Sequence, residues 1–331
     1  MYLKNIFIFF LFAVILGGAF AGVNYFVDAN CYYRCDDFYQ DKRTINPYYQ
    51  LVQWIDRDPS QDVLIIGSSR AGTTSSTYVA RKTGLKVLNV SAPAADLALR
   101  EGYLERVLSR SDRVPQRVIW YSDFLELSIS SSEPKVAAVD AFRNKFNIKN
   151  DDAEIFKIQK LIDRLSFETS IGILLGHSKL SLEAKVDDVD LEKCLSKDFS
   201  GLVTQDRLKA ELGLMYSSYT SSVFKGAMIS SLQRKFEHVL KKLIDMNVHV
   251  DVVITPYHPA FKRRLKEENP QLYEEHKEWV KYLQGFANGG QVRVYDYYTE
   301  GFPNDDEGPL LWDDGVHFNC FAAIQIINKI F

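Results

Sequence analysis

Two short stretches of this chain carry side chains that could do chemistry together. The first is "DVLIIGSSRAGTT", residues 62–74, in which four apolar residues run straight into Gly67-Ser68-Ser69-Arg70 and then Gly-Thr-Thr. A buried strand that ends in Gly-Ser can cradle a phosphate or present a serine nucleophile. The second is "WDDGVHFN", residues 312–319, with Asp314 and His317 separated by two residues in what reads as a loop. At that spacing a carboxylate can bond to the imidazole, fix its tautomer and leave the second ring nitrogen for a hydroxyl. Taken singly, each stretch also has a bland reading: Gly-Ser-Ser after a strand is an ordinary turn, and "DGVH" is a loop with a surface histidine. Their joint order and position favour the nucleophile.

The phosphate reading is tested by the cation it needs. A P-loop requires G-x-x-x-x-G-K-[ST], with the lysine reaching the β/γ-phosphates. Gly67 and Gly72 have that spacing and Thr74 supplies the hydroxyl, but Thr73 replaces the lysine, which argues against an NTPase. "GSSRAGTT" also resembles the G-x-x-R-S-G-T-[TS] loop of sulfotransferases that bind an adenylyl sulfate donor, with Gly67, Arg70, Gly72, Thr73 and Thr74 matching. That family's later arginine and serine have no counterpart, since "VIWYSDFLELS" lacks the arginine. A sulfotransferase-like use of residues 67–74 for a nucleotide donor remains an alternative.

A serine early in the chain and Asp-x-x-His late, on an α/β sheet, resemble the SGNH (GDSL-like) hydrolase superfamily. The nearest likeness is to its membrane-anchored branch, which includes proteins of teichoic-acid D-alanylation and alginate O-acetylation. The resemblance implies Ser69 as nucleophile, with Ser68 standing where the first block often has Asp. It further implies His317 as general base and Asp314 as orienting acid, Asp313 being one residue out of register. For the oxyanion hole it implies the backbone N–H of Ser69, Ala94 where the second block has Gly, and Ser122 where the third has Asn, Asp123 following. A serine is a shorter donor than asparagine, and losing one such donor can cost about 100-fold in rate. The resemblance also implies an acyl-ester reaction on an envelope glycan or polymer, without a cofactor and with a membrane acyltransferase as partner. Hydrolysis and acyl transfer share this machinery, so both stay open. A catalytically inactive glycan-binding or scaffold protein of the same fold is the remaining alternative.

Other residues have weaker claims. Arg70 follows the nucleophile directly and His258 follows the fourth strand, so both are candidates for substrate contact. Each also has a structural reading, as a salt-bridging residue and as a turn residue between Pro256 and Pro259. Asp96 and Asp123 read as structural. His177, His238, His249 and His276 read as surface residues. No His/Cys/Asp cluster has metal-ligand spacing. Cys31 and Cys35 are a candidate local disulfide, a pair of free cysteines being the other reading; Cys194 and Cys320 have no sequence-readable role.

The elements that must position these residues alternate. Strands are expected at 62–67, 86–90, 117–122, 248–255 and 291–298. Helices are expected near 74–83 and 95–109, then over "SLQRKFEHVLKKLIDM", "NPQLYEEHKEWVKYLQGFAN" and "CFAAIQIINKIF". Short apolar strands between helices predict an α/β fold: a flavodoxin-like (SGNH-type) parallel sheet with helices on both faces, over residues 61–331. Residues 128–225, rich in Ser, Lys and Asp, read as a mostly helical insertion. Residues 26–60 read as a juxtamembrane segment, with "YYQLVQWI" a short amphipathic helix. Residues 6–23 are uncharged and apolar apart from glycines, and a run of roughly 18 such residues can span a bilayer. The expectation is therefore a transmembrane signal anchor over 1–25, single pass, with the remainder outside the cytoplasm; cleavage after "GAFAGV" is the competing outcome. The chain of 331 residues is 46% hydrophobic with a formal net charge of -3. That composition is ordinary for a globular protein and gives no footprint for nucleic acid.

Overall fold

The computed structural model describes residues 2–27, 51, 55–56, 60–93, 95–110, 114–127, 164–175, 194, 204–220, 230–287, 290–302 and 311–331. These fall into two compact units: residues 1–54 with 133–185, and residues 55–132 with 186–331.

In the first unit, helix α1 (Tyr2–Val27) contains the expected apolar run. Phe20 of α1 stacks on Phe167 of α4 (Arg164–Leu174) with ring centroids 3.6 Å apart. Asn24 and Val27 are buried, so the C-terminal part of α1 has a packed face. The helix expected there forms, but its role as a span is not supported: among the described residues no helix is long and apolar enough to cross a membrane.

The second unit holds a five-stranded sheet of β1 (Val63–Ile66), β2 (Val87–Asn89), β3 (Arg117–Ser122), β4 (His249–Ile254) and β5 (Val292–Asp296). The spatial order is β2-β1-β3-β4-β5 and every pairing is parallel. Successive residues of a strand point to opposite faces, and both faces are covered. Val63 and Ile65 of β1, Ile119 and Tyr121 of β3 and Val253 of β4 form one core. They share it with Val79 of α2 (Ser76–Thr83) and with Ala322, Ile326 and Ile330 of the last helix, α10 (Cys320–Ile330). The opposite face carries Trp120, packed edge-on against Phe236 of α6 (Ser230–Asp245). All four β1 residues are buried, which is why the strand reads as an unbroken apolar run rather than an alternation.

The remaining helices of this unit are α3 (Leu97–Arg110), α5 (Gln205–Thr220), α7 (Pro259–Glu268), α8 (Pro270–Gln284) and the single turn α9 (Tyr297–Glu300). The expected fifth strand ends two residues early. Asp296 accepts a hydrogen bond from the Thr299 N–H and caps α9, so Tyr297 and Tyr298 belong to a helical turn. Helix α7 was not anticipated from the sequence; His258 caps it and Pro259 occupies its first turn, the arrangement proline favours. Of the 128–225 stretch, the described parts include helices α4 and α5.

Cys194 and Cys320 form a disulfide. It ties residue 194 to the first residue of α10, just past the loop that carries His317. The proposed Cys31–Cys35 pair and the "YYQLVQWI" helix fall wholly or largely outside the described residues.

Candidate active site

Ligands of open parallel sheets bind beyond the carboxyl ends of the strands, where the winding reverses. In this order the reversal lies between β1 and β3. Gly67 leaves β1 at that point, and the fit there is tight: a Cβ on it would lie 2.6 Å from the Ala71 Cβ and 2.8 Å from the Tyr121 Cβ. The chain then turns at once, with the Ala71 N–H bonded to the Ser68 carbonyl and the Gly72 N–H to the Ser69 carbonyl. Ser69 is thereby held at the rim, partly exposed. Its own N–H donates to no acceptor among the described residues.

The partner loop is built by a single carboxylate. Asp314 Oδ1 accepts from the Val316 and His317 N–H groups, each at 2.7 Å. Asp314 Oδ2 lies 2.7 Å from His317 Nδ1. Burial alone would raise the Asp314 carboxyl. The bonds from the His317 ring and from these backbone groups outweigh it and hold the carboxyl below its ordinary range. An ionised carboxylate only accepts, so Nδ1 carries a proton, and in the neutral ring Nε2 then presents a lone pair. That Nε2 lies 2.8 Å from Ser69 Oγ. The structure thus brings Ser69, His317 and Asp314 into one hydrogen-bonded chain across 248 residues of sequence. The Asp313 carboxyl makes no hydrogen bond in this chain; burial first, and Asp314 beside it second, push it up.

Packing fixes this loop from behind. The Asn319 N–H donates to the Leu311 carbonyl, Trp312 pairs with Phe318, and Asn319 then caps α10. A Cβ on Gly315 would meet Leu212 of α5 and Phe261 of α7, each at 3.0 Å. The His258 N–H donates to the Gly315 carbonyl.

The other expected site residues sit elsewhere. Ser122 does not face Ser69: it is fully buried and its hydroxyl donates to Glu126. The third-block position therefore supplies no oxyanion donor in this arrangement. Arg70 is buried away from the rim rather than offered to substrate. It donates to Thr255 Oγ1 at 3.0 Å and its Cζ lies 3.9 Å from the Tyr257 ring centroid. His258 is also buried; its Nδ1 accepts from the Ala260 N–H, and its ring packs on Trp312. Ala94 lies outside the described residues, as does His177. His238 and His249 are exposed as expected, but His276 is fully buried in α8. Its Nε2 lies 3.0 Å from the Tyr219 hydroxyl, and burial brings its pKa down to about 3.

Sequence reasoning missed a buried network under the nucleophile. Ser68 Oγ donates to Asp123 Oδ2 at 2.6 Å. Arg100 of α3 bridges Asp123 and Glu126, each at 2.9 Å, and also donates to the Tyr121 carbonyl. Trp120 Nε1 donates to Glu126 at 2.7 Å. Burial would raise the Asp123 carboxyl, but Arg100, Arg70 and Ser68 hold it low. Burial raises Glu126 to about 7 against the pull of Arg100. Two carboxylates, Asp123 and Glu126, in the "SDFLE" that closes β3 were the signal available.

Among the described residues, no group of three or more His, Cys, Asp or Glu side chains could hold a metal ion. No protein-family model matches the chain, and comparison with curated proteins finds no match either.

Proposed function

We propose that this protein is a serine-nucleophile ester hydrolase or O-acyltransferase of the SGNH kind, acting on acyl esters of an envelope glycan or related polymer. The observation that carries the reading is the chain Ser69 Oγ–His317 Nε2–Nδ1–Asp314, at 2.8 and 2.7 Å. Ser69 Oγ attacks the ester carbonyl as His317 Nε2 takes its proton, and Asp314 holds the imidazolium that forms. The tetrahedral intermediate's oxygen is met by the Ser69 N–H. Collapse breaks the ester C–O bond, and His317 returns the proton to the departing alcohol. Water or a sugar hydroxyl then repeats the sequence on the acyl-serine, giving hydrolysis or transfer.

Two observations weigh against the donor-loop alternative. Arg70 is turned to Thr255 and Tyr257, and Thr74 Oγ1 donates to the Tyr121 hydroxyl, so neither side chain is presented to a phosphate. His317 is in the site rather than remote from it. The inactive-scaffold alternative expects Ser69 beyond hydrogen-bond reach of His317, and the 2.8 Å separation speaks against that.

The reading places the domain outside the cytoplasm, anchored by residues 6–23 and working with a membrane acyltransferase. The Cys194–Cys320 disulfide supports an oxidising compartment; the anchor rests on the sequence of residues 6–23. Ser69→Ala is expected to lower hydrolysis of an acetylated model ester by about 1,000-fold or more and to abolish labelling by a serine-directed phosphonate. Unchanged turnover and labelling in that variant would remove Ser69 as the nucleophile.

A further inference from the structure

Of the oxyanion donors expected from the sequence, Ser122 is turned inward and Ala94 lies outside the described residues, which leaves the Ser69 N–H. What aims that donor sits on the other side of the same peptide. The Ser68–Ser69 peptide is trans, and a trans peptide points its N–H and its C=O to opposite sides. The Ser68 carbonyl faces into the turn, where it accepts from the Ala71 N–H at 3.0 Å. The Ser69 N–H is therefore directed out of the turn. One backbone bond is a slight restraint on the rotation of that peptide, and the Ser68 side chain supplies a second. Its hydroxyl donates to Asp123 Oδ2 at 2.6 Å and accepts, over a longer 3.4 Å, from the Arg70 N–H. Asp123 is met by Arg100 at 2.9 Å and stays ionised, so it only accepts and the Ser68 proton is committed to it. A hydroxyl bonded to a carboxylate at this length is one of the strong hydrogen bonds. Ser68, Asp123 and Arg100 are all buried, so no water competes for it.

We propose that Ser68 is a positioning residue: through Asp123 and Arg100 it holds the 68–69 peptide at the angle that aims the Ser69 N–H at the ester oxygen as charge develops there. Ser68 itself touches no substrate. Its committed proton sets it apart from its neighbour Ser69, whose hydroxyl faces His317 at 2.8 Å. A buried ion pair adds little net stability over a well-packed apolar replacement. A donor held in place beforehand needs no reorientation when the oxyanion forms, and that is where such a site gains most. Holding the donor gives the network a use that stability alone does not. The assignment rests on the serine-hydrolase reading.

The test uses the full chain in detergent, a small neutral acetyl ester, and rates taken per site titrated by a serine-directed phosphonate, so that unfolded protein does not count. Ser68→Ala deletes one oxygen atom, and Ser68→Thr keeps the hydroxyl. Ser68→Ala is expected to lower kcat by about 10-fold to 100-fold, short of the loss of a whole donor, and to change KM by less than about twofold. Affinity for a boronic acid, whose adduct with serine is tetrahedral and anionic, should fall in step with kcat. The pH profile of kcat should keep its shape, because His317 and Asp314 are untouched. Ser68→Thr should stay within about threefold of the unaltered chain. A lower urea midpoint in Ser68→Ala with kcat and boronate affinity unchanged would make Ser68 purely structural and overturn the proposal. An equal loss in Ser68→Thr would overturn it too, as would a shifted pH profile, which would place the action of Ser68 on His317. Turnover that depends on Ser69 and is indifferent to Ser68 removes this proposal alone. Turnover that survives Ser69→Ala removes the serine reading and the role of Ser68 with it.

Discussion

Two buried arginines serve the same turn in different ways. Arg100 reaches Ser68 through Asp123 and is met by two carboxylates, Asp123 and Glu126. Arg70, next to Ser69 in sequence, is met by the Thr255 hydroxyl and the face of Tyr257, and Tyr257 leads on through Tyr219 to His276. The Asp123 carboxylate acts on Arg70 through space. One side of the nucleophile is thus braced by fixed ions. The other is braced by an aromatic and hydroxyl cluster that shares the Asp123 counter-charge with the first. A buried ion pair gives little net stability, yet losing one partner is severe because the other charge is left unmatched. The ionic side should therefore be the brittle one.

The largest expected effect follows directly. Arg100→Met leaves the buried Asp123 carboxylate and the readily protonated Glu126 without their direct cationic partner, and is expected to cost about 3–5 kcal/mol of unfolding free energy in a urea titration. Arg70→Met removes a cation, one hydrogen bond and one cation–π contact, and leaves no carboxylate without its direct partner. Its expected cost is about 1–2 kcal/mol. Equal costs for the two variants would break the comparison, and would mean that Arg70, rather than Arg100, is what Asp123 chiefly depends on.

What the sequence made legible follows from how local each signal is. The strands showed because β1, β3 and β4 are buried on both faces and read as apolar runs. The triad showed because Asp314 and His317 lie in one turn and Ser69 follows a strand, so each half is a short-range pattern. The Arg100 network was hidden because its members come from α3, from β3 and from the turn after it, and only the parallel register brings them under Ser68. Ser122 misled for that reason: block position placed it at the rim, while Glu126, four residues on, draws its hydroxyl inward. His276 was a different kind of miss. Leu272, His276, Trp279, Val280 and Leu283 are all buried, at spacings that put them on one face of a helix. The pattern was present in the sequence, and the polarity of histidine obscured it. The disulfide was illegible because its cysteines lie 126 residues apart, and such connectivity is not readable from spacing.

The same contrast predicts opposite responses to pH, smaller than either arginine substitution. Burial raises Glu126 from an ordinary 4.5 to about 7. The folded state therefore holds a proton there that the unfolded chain has released, and stability falls as pH rises from about 4.5 through about 7. Burial brings His276 from 6.5 down to about 3. Here the unfolded chain takes up the proton first, so the His276 contribution is complete above about 6.5 and is lost as pH falls toward about 3. Glu126→Gln should thus flatten the decline on the neutral side of the stability profile. His276→Gln should flatten the decline on the acid side and leave the neutral side as it was. Urea midpoints at intervals between pH 4.5 and 8 separate the two. If Glu126→Gln left the neutral-side decline in place, Glu126 would be ionised throughout that range, and Arg100 would then be matched by two full negative charges instead of one.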